Sequence, residues 1–210
     1  MIKNIVFDMG NVLIMFYPKK IFGNILTDEN DIDLILTHFY GSQEYHEVDR
    51  GTLTYEQMLN LDKIKDNLPA HLIDLLYKMY VENCFVTNYM PPFPEMYDLV
   101  SELKENGYNI YLLSNATDEF HNYCDKIPVI SLMDGILISS DYKLLKPEKE
   151  IYETLFEKFS LNPSECIFID DLERNIQGGI ACGMDGIVFS PSFENVSVLK
   201  DKLRNKGVKI

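Results

Sequence analysis

Short, predominantly apolar runs recur at both ends of the chain, and helical patterns fill the gaps between them. Ile2 to Phe7, Asn109 to Leu113, Ile136 to Ser139, Cys166 to Ile169 and Gly186 to Phe189 have strand length and predict buried β-strands. Glu95 to Asn106 carries Met96, Leu99, Val100 and Leu103 on one helical face and stops at Gly107. A helix is predicted to begin near Thr117. Another runs from Pro147, placed at its first position, to about Phe159, and a third runs from Glu173 to Cys182 and closes at Gly183. Strands alternating with helices predict an α/β fold built on a doubly wound parallel sheet. Ligands of such sheets bind beyond the carboxyl ends of the strands.

Residues 15–90 follow a different pattern. They hold no clear strand, but helical periodicity over Ile32 to Tyr40, Thr54 to Leu61 and His71 to Cys84, with a capping box at Thr54 and Gln57. The proline cluster Pro91, Pro92 and Pro94 marks the return to the sheet. The predicted organisation is an α/β core of residues 1–14 and 91–210, with residues 15–90 forming an α-helical cap over the mouth of the sheet.

Composition narrows the partners. A hydrophobic content of 46% and a charged content of 25% are ordinary for a globular protein. The formal net charge of −14 repels nucleic acid and anionic lipid, so neither is an expected partner. A phosphate site here must bring its own positive charge. Cys84, Cys124, Cys166 and Cys182 form no zinc-type spacing, and Cys166 and Cys182 lie in apolar segments that read as buried. The N-terminal run reads as a strand rather than a signal peptide, and no apolar stretch is long enough for a bilayer, so a cytoplasmic location is expected.

Four places at strand ends carry candidate chemistry. The first strand ends in Phe7-Asp8-Met9-Gly10-Asn11-Val12-Leu13, and the second in Leu113-Ser114-Asn115-Ala116-Thr117. Lys146 stands in Leu145-Lys146-Pro147, and the fourth strand ends in Ile169-Asp170-Asp171 with Asn175 one turn into the next helix. Each has a bland reading by itself: Asp8 or Asp170 as a cap, Ser114 as an N-cap, Lys146 as a solvated lysine. Converging carboxylates, however, repel strongly unless a cation or protons intervene, and an all-oxygen set suits Mg²⁺.

Taken together and in order, these motifs resemble the haloacid dehalogenase-like hydrolase superfamily, whose fold is Rossmann-like with a C1-type cap where residues 15–90 fall. The resemblance implies metal ligation by Asp8 and Asp171, by the Gly10 carbonyl, and by Asp170 directly or through water. It implies attack of Asp8 on phosphorus to give an aspartyl-phosphate, hydrolysed in turn by water. Ser114, Asn115 and the following backbone N–H groups would hold the phosphate at a helix N-terminus, and Lys146 would neutralise it. Asn175 would orient its neighbours. The implied partner is a small-molecule phosphate ester, and the Asp-x-Gly-Asn-Val run is similar to sugar-1-phosphate phosphatases.

The chain departs from this pattern at Gly10. Phosphatases of the superfamily usually carry a second aspartate there as general acid and base, help worth about 10²–10⁴-fold. Three readings stay open: a phosphatase that protonates its leaving group by other means, a 2-haloacid dehalogenase, or a non-catalytic phosphate-binding protein. Specificity is expected from the cap and from Met15-Phe16-Tyr17, with a small polar substrate. Within Tyr45 to Gly51, Arg50 could hold a second substrate charge and His46 could supply the missing proton; the plainer reading makes Asp49 and Arg50 a surface turn and His46 a solvated helix residue. His38, His71 and His121 read as surface or boundary residues.

Overall fold

The computed structural model describes every residue from Met1 to Ile210. Five strands, β1 (Asn4–Phe7), β2 (Asn109–Ser114), β3 (Gly135–Ile138), β4 (Cys166–Asp170) and β5 (Asp185–Val188), form one all-parallel sheet in the order β3-β2-β1-β4-β5. The chain builds outward from β1 in one direction through β2 and β3, then crosses to the other side for β4 and β5. The order therefore reverses at β1, and the crevice at its carboxyl end is where an open α/β sheet binds ligands.

Between β1 and β2 the chain is helical: α1 (Pro18–Gly23), α2 (Glu29–Leu34), α3 (Gln43–Arg50), α4 (Tyr55–Asn60), α5 (Asp62–Lys65), α6 (Ala70–Tyr77), α7 (Phe85–Tyr89) and α8 (Pro94–Glu105). Wider π turns continue α2 over Ile35–Tyr40 and α6 over Lys78–Glu82. The predicted capping box forms, with Thr54 and Gln57 each bonding the other's backbone N–H. After β2 come α9 (Phe120–Tyr123), α10 (Ser139–Tyr142), α11 (Lys149–Phe159), α12 (Glu173–Ala181) and α13 (Val196–Asn205).

Strand alternation assigns the two faces of the sheet. Ile5, Phe7, Ile110, Leu112, Ile167 and Ile169 pack with Met96, Leu99, Val100 and Leu103 of α8 and Leu199 and Leu203 of α13. Val6, Tyr111, Leu113, Cys166 and Phe168 point the other way, against Ile151, Tyr152, Leu155 and Phe156 of α11 and Ile176 of α12. Burying both faces takes the apolar surface of the central strands out of water, at about 25 cal/mol per Å². No helix is long and apolar enough to cross a membrane.

Several local expectations are corrected. The helix predicted near Thr117 shrinks to the single turn of α9, because the segment winds through i to i+3 bonds such as Phe120 N–H to Thr117 O and meets Pro128. Pro147 does not start α11; it follows a cis peptide bond, and the helix begins at Lys149 after a turn closed by Glu148 N–H on Leu145 O at 2.7 Å. Cys166 is buried as expected, but Cys182, at the end of α12, is only half-buried. Helix α13 was not anticipated; its start is capped by Asn195, whose side chain accepts from Ser197 N–H.

Candidate active site

Four loops meet beyond the carboxyl edge of the sheet. Asp8 follows β1 directly, and its N–H donates to Ile169 O at 2.9 Å, extending the ladder to β4 by one bond and fixing the backbone beneath the carboxylate. Asp170 is the last residue of β4 and Ser114 the last of β2. Lys146 reaches in from the loop before α11. Its ammonium is buried and donates to Asp8 Oδ1 at 2.6 Å, Asp170 Oδ2 at 2.7 Å and Leu113 O at 2.9 Å, which uses all three protons.

The surrounding amides hold this arrangement. Asn115 accepts Lys146 N–H at 2.9 Å and donates to Lys146 O at 3.1 Å, so its side chain clamps the lysine backbone. Asn175 donates to both Asp170 oxygens, at 3.0 and 3.1 Å, and Leu172 N–H adds a third bond at 2.8 Å. Asn175 thus orients its neighbour, in keeping with its sequence reading. Asn11, at φ 55°, accepts Phe16 N–H at 2.9 Å and donates to Asp171 Oδ2 at 3.2 Å. Sequence reasoning gave Asn11 no role; the signal was there, since asparagine tolerates the left-handed region that a tight loop after a strand requires.

The electrostatics are out of balance in a telling way. Carboxylate oxygens of Asp8, Asp170 and Asp171 all lie within 4.8 Å of one another, with one lysine among them. Burial pushes the Asp8 carboxyl up to about 7; Lys146 opposes the rise, and Asp170 and Asp171 add to it. Asp171 is raised as well, by burial and then by Asp170. Burial pulls the Lys146 ammonium down, but Asp170 and Asp8 outweigh it and hold the lysine above its ordinary value. Asp8 Oδ2, Asp171 Oδ1 and the Gly10 carbonyl accept no hydrogen bond from the protein. These hard oxygens beside excess negative charge fit a divalent cation such as Mg²⁺.

A cavity of about 380 Å³ opens above Asp8. Its floor includes Ser114, Lys146 and Asp171, and the backbone N–H groups of Met9, Gly10 and Asn115 at its edge take no partner within the protein. Free N–H groups and a lysine supply the positive field expected of a phosphate site. The short α9 does not, because a four-residue turn has little dipole. The helical segment walls the cavity with rings: Tyr80 stacks on Phe85 at 4.2 Å, Tyr55 lies 4.6 Å from Tyr80, and Tyr40 hydrogen-bonds Tyr80 through their hydroxyls.

Two readings of the Tyr45 to Gly51 stretch change. It is not a surface turn but α3, and His46 and Asp49 both line the cavity. Arg50 faces away, paired with Glu148 through two bonds at 2.5 and 3.0 Å, and so is not free to hold a substrate charge. His71 and His121 lie exposed, paired with Asp31 and Asp141.

Residues 2–183 match the haloacid dehalogenase-like hydrolases. The chain belongs to this family. Among haloacid dehalogenase-like relatives it is 25% identical over 199 residues to a sesquiterpene phosphatase from Aspergillus oryzae, covering 94% of this chain and 95% of that one. It is 26% identical to D-ribitol-5-phosphate phosphatase from Bacteroides thetaiotaomicron, covering 88% and 90%. A crystal structure of a haloacid dehalogenase family enzyme from Bacteroides thetaiotaomicron, in complex with magnesium and inorganic phosphate, superposes with a TM-score of 0.65 at 24% identity, covering 90% of this chain and 94% of that one.

Proposed function

We propose that this hydrolase is a Mg²⁺-dependent phosphatase of a small phosphorylated metabolite, acting through an aspartyl-phosphate on Asp8. The observation that carries the reading is the division of labour on Asp8: Lys146 holds Oδ1, Oδ2 accepts no hydrogen bond, and Asp8, Gly10 and Asp171 line the same cavity. Asp8 attacks phosphorus with its free oxygen, and water then cleaves the mixed anhydride. Ser114 and the Asn115 N–H bind the phosphoryl oxygens, Lys146 neutralises the phosphate through its charge, and the Asn115 side chain keeps Lys146 in register. Asp8, Asp171 and the Gly10 carbonyl would hold the cation directly. Asp170, whose oxygens are already bonded, would act through water. The cation supplies neutralisation of the phosphate charge. The similarity to two phosphatases over nearly the whole chain supports the same reading.

Residues 1–14 and 91–210 form the catalytic core in this proposal, and residues 15–90 the cap that encloses the leaving group. Cavity residues from 15–90 include six phenylalanine and tyrosine rings, Phe16, Tyr40, Tyr45, Tyr55, Tyr80 and Phe85, and no lysine or arginine. Such walls suit a leaving group with a ring or apolar face and no second charge, a description that a sugar monophosphate meets. A cytoplasmic location belongs to the same proposal. The test is phosphate release from a panel of phosphorylated metabolites and 4-nitrophenyl phosphate, with and without Mg²⁺. Turnover that needs the metal and disappears in Asp8→Asn supports the reading. Chelator-indifferent halide release from 2-chloropropionate, or phosphate binding without turnover, would replace it.

A further inference from the structure

We propose that Asp49, carried over the site by α3, is the general acid and base of this hydrolase. The inference deepens the phosphatase reading and rests on it. An alkyl phosphate does not readily expel a bare alkoxide, so the leaving oxygen needs a proton as its bond to phosphorus breaks. The loop after Asp8 offers none. Gly10 has no side chain, Asn11 is engaged at both ends of its amide, and all three protons of the Lys146 ammonium are committed.

Asp49 is placed to fill that role. It lines the same cavity as Asp8, and its carboxyl makes no hydrogen bond or salt bridge. Its backbone, by contrast, is anchored. Ser139 Oγ donates to Asp49 O at 2.5 Å and accepts Ala116 N–H at 2.9 Å, tying α3 to the loop that carries Ser114 and Asn115. One residue on, the Arg50–Glu148 pair and the Lys143 ammonium on Gly51 O fasten the same end of the helix to the core. The acid thus sits on the fixed edge of the helical segment, with a free head and a rigid base. Burial and then the nearby Asp8 push its pKa up to about 8, with Lys146 opposing, so the carboxyl holds a proton at neutral pH.

The chemistry balances. As an Asp8 oxygen bonds phosphorus, the bond to the leaving oxygen breaks, its electron pair stays on that oxygen, and the Asp49 carboxyl delivers the proton. In the second half the Asp49 carboxylate takes a proton from water as the water oxygen bonds phosphorus. The bond from phosphorus to Asp8 then breaks, which restores both side chains and frees phosphate.

Asp49→Asn and Asp49→Ser, with His46→Gln for comparison, test this against an alkyl monoester and 4-nitrophenyl phosphate in Mg²⁺. The expected loss in kcat/KM is about 10²–10⁴-fold on the alkyl ester and under about tenfold on the nitrophenyl ester, whose leaving group needs no proton. A burst of nitrophenolate should also appear in the Asp49 variants, because the second half lacks its base. Equal losses on both esters, no loss on the alkyl ester, or a leaving-group-dependent loss in His46→Gln in place of the Asp49 variants would overturn the assignment while leaving the phosphatase reading intact. If the wild-type protein turns over neither ester, the phosphatase reading fails first and the role of Asp49 falls with it.

Discussion

Lys146 Nζ lies 2.6 Å from Asp8 Oδ1 and leaves Oδ2 as the oxygen of that carboxylate without a hydrogen bond. The same ammonium neutralises Asp170, which has no access to solvent. Lys146→Met removes both services with little change in volume. Asp170 would keep only its bonds from Asn175 and Leu172, and a buried charge stripped of its partner costs about 3–5 kcal/mol. Urea unfolding should register that loss, and kcat/KM should fall by at least about 10²-fold as the Asp8 rotamer is released. A variant as stable as the parent would show that the ion triad contributes little.

Asp8 itself is held at a thermodynamic disadvantage. Its carboxyl, pushed up to about 7, keeps a proton in the folded protein that the unfolded chain has already lost at lower pH. The metal-free protein therefore loses stability as pH rises from the ordinary carboxylate range to about 7, and stays penalised above it. Asp8→Asn should raise the Tm of the metal-free protein at pH 8 while abolishing turnover. Mg²⁺ at 100 times its Kd should add about 2.7 kcal/mol to the parent and distinctly less to the variant. Thermal unfolding in chelator and in Mg²⁺ distinguishes these outcomes, and a lower Tm for the metal-free variant would contradict the charge imbalance.

The parts of this protein that were legible in its sequence are those governed by local rules. Strand runs, the apolar face of α8 and the Thr54 capping box follow from side-chain period and capping chemistry, and all three form as expected. Asp8, Ser114, Lys146, Asp170 and Asp171 could be named because strand ends are where an α/β sheet presents its chemistry. Asp49 could not be placed, because its proximity to Asp8 depends on how α3 docks on the core, through Ser139, Lys143 and Glu148, residues about 90 or more positions away. The pairing of Arg50 with Glu148 was out of reach for the same reason, since 98 positions separate the two residues. The end of the second loop failed differently, since competing i to i+3 bonds and Pro128 outweighed helix periodicity after Thr117.

Gly51 packs tightly against the core at the end of α3. It ends the helix at φ 77°, and a Cβ there would lie 2.6 Å from Lys143 Nζ and 2.9 Å from Ser140 O. Gly51→Ala combines left-handed strain with a clash against backbone, so it should destabilise the protein by roughly 1 kcal/mol or more. It should also lower kcat on an alkyl monoester, because α3 must lift to admit the methyl group. Differential unfolding and steady-state rates measure the two effects; a stable variant with unchanged kcat would mean that the docking of α3 does not govern turnover.

A pH profile offers an independent view of Asp49. Asp8 and Lys146 face it from the core, and the rings of Tyr45 on its own helix and of Tyr55 and Tyr123 on α4 and α9 respond to its charge. The tyrosines are all held above their ordinary values and so stay neutral through the range of interest. Proton donation requires the acid form, so kcat/KM on an alkyl monoester should descend as pH rises through about 8. The descending limb should be absent with 4-nitrophenyl phosphate. A limb common to both esters would assign it to another group.

Charge on the leaving group should decide specificity more strongly than its size. The cavity wall from residues 15–90 carries no lysine or arginine, and Asp49 and Glu119 also line the cavity. Arg50, the nearest cation on α3, is already paired with Glu148. A second phosphate or carboxylate placed against the 15–90 wall would thus meet aromatic rings and carboxyl groups, and the one arginine that lines the cavity, Arg174, belongs to α12 instead. Two like charges about 4 Å apart cost about 1 kcal/mol in water and about 4 kcal/mol near a protein surface. A monoester with an uncharged leaving group should therefore exceed its matched bisphosphate or phosphocarboxylate in kcat/KM by at least about tenfold. Adding a cation to the wall by Val86→Arg should narrow that ratio, mainly by lowering KM for the charged substrate. If the parent prefers the doubly charged ester, the leaving group does not sit against these rings, and the orientation of substrate in the cavity must be reversed.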